Sequence, residues 1–169
     1  MSFFQHFLPQ HFLSRLMFRF ARIENHWLKN NFTRWFVKQY QVNLSESEIE
    51  DIEEFIHFND FFTRSLKQSL RPISESKIIS PVDGVVSQAG TINDSQIMQA
   101  KGRKYSVSAL IADGSNKELQ NGSFATIYLS PKDYHRIHMP CDGTLISMKY
   151  VPGDLFSVNQ KTVESIEGV

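Results

Sequence analysis

Cysteine is nearly missing: Cys141 is the only one in 169 residues. A single thiol excludes an internal disulfide framework and suits a reducing compartment. Nor is there any run near the roughly 18 apolar residues that a membrane-spanning helix needs. A secretory-signal layout is absent as well, because His6, Pro9, His11 and Arg15 interrupt the apolar N-terminus and no small-residue cleavage site follows. Net charge is missing too. The 18 basic and 18 acidic side chains cancel, so the composition gives no footprint for nucleic acid, and none is expected as a partner. No internal repeat or low-complexity stretch occurs. A chain of this length fits one domain, with room for a small appendage, and can bury a real core.

The charge is balanced overall but not locally. Residues 1–41 carry Arg15, Arg19, Arg22, Lys29, Arg34 and Lys38 against Glu24 alone, a local charge of +5. Residues 42–75 carry eight acids against Arg64, Lys67 and Arg71. Within the basic arm, Phe12, Leu13, Leu16, Met17, Phe20, Ile23, Trp27 and Leu28 recur three to four apart, with the arginines between them. Phe32, Trp35, Phe36 and Tyr40 continue the pattern after a break expected at Asn30-Asn31. A basic, aromatic-rich amphipathic helix suits a membrane interface. The alternative is a helix pair packed on its own domain. The excess of Phe and Trp favours the interface.

The spacing of Ser45 and Glu48 predicts a capped third helix near residues 44–48. A fourth, over residues 58–66, would take Asn59 as its cap and end before Arg71-Pro72. Beyond Lys77 the apolar period becomes two. Residues 78–80, 84–88, 96–99, 123–129 and 144–150 read as strands, punctuated by Asp-Gly or Asn-Gly at 83–84, 113–114, 121–122 and 142–143. The expected fold is α+β: amphipathic helices over 1–42, a helical connector over 43–77, and a mainly antiparallel β sandwich or barrel-like core over 78–169. Residues 160–169 show no compositional sign of a finished domain, and so few strands would leave an open edge. More polypeptide is expected beyond Val169.

Chemistry concentrates in Tyr128-Leu-Ser-Pro-Lys-Asp-Tyr-His135-Arg-Ile-His138-Met-Pro-Cys-Asp-Gly143. Two histidines beside Lys132, Asp133 and Arg136 suit an anionic substrate and proton transfer. Two satisfied or surface histidines are the plainer alternative. His-x-x-His shares a face only in a helix, and the flanking Pro131 and Pro140 disfavour one, so no metal is expected. Asp83, in Val-Asp-Gly-Val, can orient an imidazole, although aspartate before glycine is ordinarily a turn former. Lys101-Gly-Arg-Lys-Tyr105 is a basic loop able to meet a phosphate, or else a solvated hairpin tip. Cys141 is read as a small hydrophobe. An acid and an imidazole are two parts of a proton-relay triad, and the nucleophile is not evident.

Taken together, these segments resemble the phosphatidylserine decarboxylase family. The pieces are Phe61-Phe62-Thr-Arg-Ser-Leu with Arg71-Pro72-Ile73, Pro81-Val-Asp83-Gly84-Val-Val-Ser-Gln, and Gln99-Ala-Lys-Gly102 with Tyr105-Ser106. The long histidine segment and Tyr150-Val-Pro-Gly-Asp154-Leu-Phe-Ser-Val-Asn159 complete the series. The resemblance implies a pyruvoyl enzyme that converts phosphatidylserine to phosphatidylethanolamine and carbon dioxide. A pyruvoyl carbonyl serves as the electron sink for the carbanion left by decarboxylation. In the family it arises from a serine in a Leu-Gly-Ser-Thr type motif, whose attack on the preceding carbonyl splits a proenzyme into β and α subunits.

By the same resemblance, His138 takes the serine proton while Asp83 orients the imidazole. His135 acts in decarboxylation, holding the carboxylate or delivering a proton. Lys101, Lys132 and Arg136 are expected to bind substrate. The only Gly-Ser pairs, Gly114-Ser115 and Gly122-Ser123, lie outside the required context, so the pyruvoyl serine is expected beyond Val169 and this chain alone is expected to be inactive. The implied partners are phosphatidylserine, a lipid surface at the cytoplasmic face of the cell membrane, and an α subunit from the same proenzyme. A homo-oligomer is also allowed. A non-catalytic lipid-surface binding protein and a metal-dependent hydrolase using Asp83, His135 and His138 are the rival readings.

Overall fold

The structure is a computed structural model, and it describes residues 9–94, 96–100, 103–112 and 117–152. Its α+β class agrees with the expectation. The chain divides into two compact units: residues 14–85 with 129–147, and residues 1–13 with 86–128 and 148–169.

The first unit is built on aromatic packing. Helix α1 (Gln10–Phe20) buries none of its residues, whereas α2 (His26–Tyr40) buries Lys29, Asn30, Thr33 and Phe36. The break between them falls at residues 21–25, not at Asn30-Asn31. Asn25 Oδ1 accepts from Leu28 N at 3.0 Å and starts α2 there, while Asn31 stays within the helix and bonds back to Trp27 O. Phe36, Val42, Phe55 and Phe61 form the core, with Val37, Leu44, Ile49, Phe58 and Phe62 against it. Phe61 is fully buried, 0% exposed, and meets Phe36 and Phe55 edge-on at 5.9 and 5.6 Å. Such pairs add about 0.5–1.5 kcal/mol beyond their burial.

The connector differs from the sequence reading in two places. Residues 44–48 form a turn: Glu48 N, the group a Ser45 cap would hold, donates to Ser65 O at 3.0 Å, and Ser45 N and Oγ both bond Asn43 Oδ1. The short 3-10 turn Ile52–Glu54 follows, capped by Asp51. Helix α3 (Phe58–Phe62) is shorter than expected and is capped by the His57 ring, which accepts from Asp60 N at 2.9 Å. Lys29 fastens the 3-10 turn to α2. Only 3% exposed, it donates from Nζ to Glu53 O at 3.0 Å and Phe55 O at 2.5 Å.

Two further stretches of this unit lie side by side. His138 N donates to Pro81 O, and Ile79 N to Pro140 O, each at 2.8 Å. Each of these facing pairs includes a proline, which has no N–H, so only half of a reciprocal strand pair can form. The strand expected at 78–80 is therefore not a regular one.

In the second unit β1 (Val85–Thr91) pairs with β4 (Ser123–Tyr128), and β2 (Gln96–Ala100) pairs antiparallel with β3 (Arg103–Ser106). Part of the expected basic loop is thus strand β3. A short α4 (Val107–Ile111), capped by Ser106, was not evident in the sequence. Ile92 and Val107 are buried. Asn121 adopts a left-handed φ of 61°, and a Cβ on Gly122 would come within 3.0 Å of Leu119 O, which is why Asn-Gly suits this turn. Among the described residues the sheets stay open, with no closed barrel. Residues 144–150 are not a strand here: among the described residues no neighbouring strand supplies a ladder, and residues on both alternating faces are exposed, Ile146 at 93%.

Removing the buried ammonium tests the first unit directly. Lys29→Met keeps the aliphatic stem and strands the Glu53 and Phe55 carbonyls, so urea unfolding is expected to show a loss of about 2–3 kcal/mol.

Candidate active site

The half-bonded prolines set up the geometry of the histidine segment. Between the His138–Pro81 contact and the isolated antiparallel bridge of Tyr134 with Asp83, one stretch advances two residues (83 − 81) and the other four (138 − 134). Two extra residues must bulge out, and a bulge re-aims side chains. His135 and His138 consequently meet different surroundings.

His138 is exposed. Its Nε2 lies 2.8 Å from Tyr134 Oη, and the two rings stack at 5.5 Å with an interplanar angle of 19°. Asp83 stands beside Tyr134 through the backbone bridge, yet its carboxylate turns elsewhere. Asp83 Oδ2 accepts from Arg71 Nε at 2.8 Å, and Arg71 Nη2 reaches Glu46 Oε2 at 2.7 Å. Hydrogen bonds to these two carboxylates raise the Arg71 pKa further above its ordinary value. The fold thus bridges Asp83 to Tyr134 and bonds His138 to Pro81, while the Asp83 and His138 side chains keep separate partners.

His135 is half-buried. Its ring stacks on Phe62 at 4.1 Å and 18°, and its Nε2 lies 3.1 Å from Ser130 O. A carbonyl can only accept, so Nε2 carries the hydrogen. Burial is the main cause lowering its pKa. The Ser130 bond opposes that shift, the Arg64 charge adds to it, and Asp133 opposes it. Asp133 Oδ2 closes the preceding turn by accepting from Ser130 N and Oγ at 2.6 and 2.8 Å.

The turn after α3 holds the bulge in place. Arg136 Nε donates to Thr63 O at 2.7 Å. Arg64 donates from Nη2 to Lys132 O at 2.9 Å. Arg64 is only 4% exposed, its Nε and Nη1 have no partner, and burial lowers its pKa. A cleft of about 310 Å³ opens here, lined among others by Glu46, Arg64, Arg71, Asp83, Lys132 and Asp133. Three cations and three carboxylates balance, so the lining is polar without favouring one sign of ligand charge.

Of the residues singled out from sequence, Asp83 and Lys132 line this cleft, His135 and Arg136 belong to the bulge, and His138 sits at the proline contact. Lys101 lies outside the described residues. Phe62, Arg64, Arg71 and Tyr134 had no assigned role in the sequence reading. All four stood in quoted motifs, but pattern alone does not reveal a partner 68 residues away, as for Arg64 and Lys132.

Residues 58–169 match the family model described as phosphatidylserine decarboxylase, and residues 2–41 match one described as PSD. Relatives carrying the name phosphatidylserine decarboxylase proenzyme include one from Methylobacillus flagellatus, 51% identical over 98% of this chain and 60% of its own length. Another, from Pseudomonas fluorescens, is 52% identical over 96% of this chain and 58% of its own. A third, from Shewanella woodyi, is 50% identical over 98% and 59%. The chain spans about three-fifths of the length of these relatives. It belongs to the phosphatidylserine decarboxylase family.

The depressed His135 pKa has a definite sign in stability. The unfolded chain takes up this proton near the ordinary histidine value of about 6.5, and the folded chain only at lower pH. Stability is therefore lost as pH falls from the unfolded value towards the folded one. Unfolding curves across that window are expected to show this loss in the unaltered chain and a smaller one in His135→Gln.

Proposed function

We propose that this chain is the N-terminal, β-subunit part of a pyruvoyl-dependent phosphatidylserine decarboxylase proenzyme, releasing carbon dioxide and phosphatidylethanolamine. The observation that carries the proposal is the bulge, which sets two imidazoles in different environments within one short segment bridged to Asp83 at Tyr134. Self-processing and decarboxylation are two proton-transfer tasks, and two differently held histidines suit them.

In processing, His138 accepts the proton of a serine hydroxyl contributed by the segment beyond Val169, and Asp83 orients and stabilises the resulting imidazolium. For this His138 gives up Tyr134 and Asp83 gives up Arg71, each an exposed side-chain partner that can be exchanged. In decarboxylation, His135 holds the substrate carboxylate or returns the proton to carbon. Lys132 and Arg136, with Lys101, meet the anionic headgroup.

The donor set fits a pyruvoyl group, which would supply the electron sink, since a half-buried imidazole beside a polar cleft can hold or move a proton next to it. Its serine and the α subunit belong to the rest of the proenzyme.

The lipid substrate calls for a surface. Phe12, Leu13, Leu16, Met17 and Phe18 of α1 are exposed, as are Trp27, at 75%, and Trp35 of α2. Arg15, Arg19 and Arg22 lie among them in sequence, and the Arg22 guanidinium covers the Phe18 ring at 3.7 Å. No helix among the described residues is long and apolar enough to cross a membrane. Residues 1–42 therefore act as an interfacial segment on a cytoplasmic, anionic leaflet, with 43–77 as connector and 78–169 as the catalytic part.

Expression of the full-length polypeptide tests the reading. It is expected to split into two chains, and Asp83→Ala or His138→Ala to slow that splitting by about 10²-fold or more. Normal processing in both variants would overturn the assignment. His135→Ala is expected to process normally and to lose decarboxylation of phosphatidylserine vesicles by a similar factor.

A further inference from the structure

We infer that Phe62 and Arg64 are positioning residues for His135, and that with the Ser130 carbonyl they fix its ring as the Nε2–H tautomer, leaving Nδ1 as the atom that receives and returns a proton. The inference rests on the reading of His135 as the decarboxylation histidine and adds to it the working atom and the groups that select it.

Three contacts define the ring. Ser130 O holds Nε2–H at 3.1 Å. Phe62 covers one face at 4.1 Å, so the ring plane is fixed and that face is closed to water. Nδ1 has no hydrogen-bond partner among the described residues, so the neutral ring presents its lone pair there. The Nδ1–H tautomer would instead set the bare Nε2 lone pair against the Ser130 carbonyl oxygen, acceptor facing acceptor.

Arg64 acts one step back. Ser130 O also accepts from Asp133 N at 2.9 Å, so the carbonyl that selects the tautomer belongs to a closed turn. Arg64 anchors that turn through Lys132 O at 2.9 Å, and Thr63 O ties down Arg136 just beyond. Phe62, Thr63 and Arg64 thus address His135, Arg136 and the turn from three consecutive positions. The charges facing the ring are Arg64, which disfavours its protonation, and Asp133, which favours it. The Asp133 carboxylate is already occupied by Ser130 N and Oγ, whereas two nitrogens of the Arg64 guanidinium are unpartnered. The ring is thereby kept neutral as a base. Uptake of one proton at Nδ1 gives the imidazolium, and its return restores the same tautomer.

Long-range ¹H–¹⁵N spectra of the ¹⁵N-labelled full chain test this, with His135 assigned by the loss of its signals in His135→Gln. The Nε2–H tautomer is expected, with a titration midpoint below the ordinary value of about 6.5. Arg64→Gln and Phe62→Leu are each expected to move the midpoint upward and to admit the other tautomer. Phe62→Leu keeps an apolar side chain and serves if the Arg64 variant does not fold. A dominant Nδ1–H tautomer, a midpoint at or above the ordinary value, or a midpoint unmoved in the folded variants would overturn the inference. The catalytic reading fails separately: full-length His135→Gln that still decarboxylates phosphatidylserine would remove the role and leave the tautomer standing.

Discussion

A buried guanidinium joins the two halves of the site. Arg64 leaves the end of α3 and bonds the backbone of residue 132 across 68 positions of sequence. An arginine this enclosed loses hydration that two hydrogen-bonded carbonyls only partly replace, and burial accordingly depresses its pKa. The cost falls where the aromatic core is densest, with Phe61 directly beneath the charge at 5.5 Å. Core and histidine segment therefore share one short turn.

The acid and the exposed imidazole illustrate a second constraint. Asp83 lies between Arg71 and its own bridge to Tyr134, so its carboxylate has a strong partner whenever no imidazole claims it. His138 likewise has a phenol to bond. Each group thus has a side-chain partner of its own. Both partners are exposed, so each can be exchanged at little cost.

The sequence made some features legible and not others. The helical period over residues 10–40 was readable because apolar and basic residues alternate cleanly, and strands β1, β2 and β4 appeared as period-two runs. The breaks were harder. Asn30-Asn31 looked like an interruption, yet Asn25 takes the cap, since a side-chain oxygen at that point reaches Leu28 N. Ser45 and Glu48 had capping-box spacing, but Asn43, two residues earlier, competes for the Ser45 N–H. The run at 144–150 alternates like a strand, and alternation alone cannot supply the neighbour a strand requires. In the candidate site, residue types singled out Asp83, His135 and His138, while Tyr134, Arg64 and Arg71 depend on contacts that only the folded chain makes.

The facing prolines have a consequence for alignment. Pro81 and Pro140 each sit opposite a residue that can donate. Sliding the histidine segment by two positions in one direction would set proline against proline, and that rung would have no N–H at all. Misalignment in that sense carries its own penalty before any side chain is considered. The ring nitrogens are thus indexed to Asp83 by the two residues least able to form a ladder.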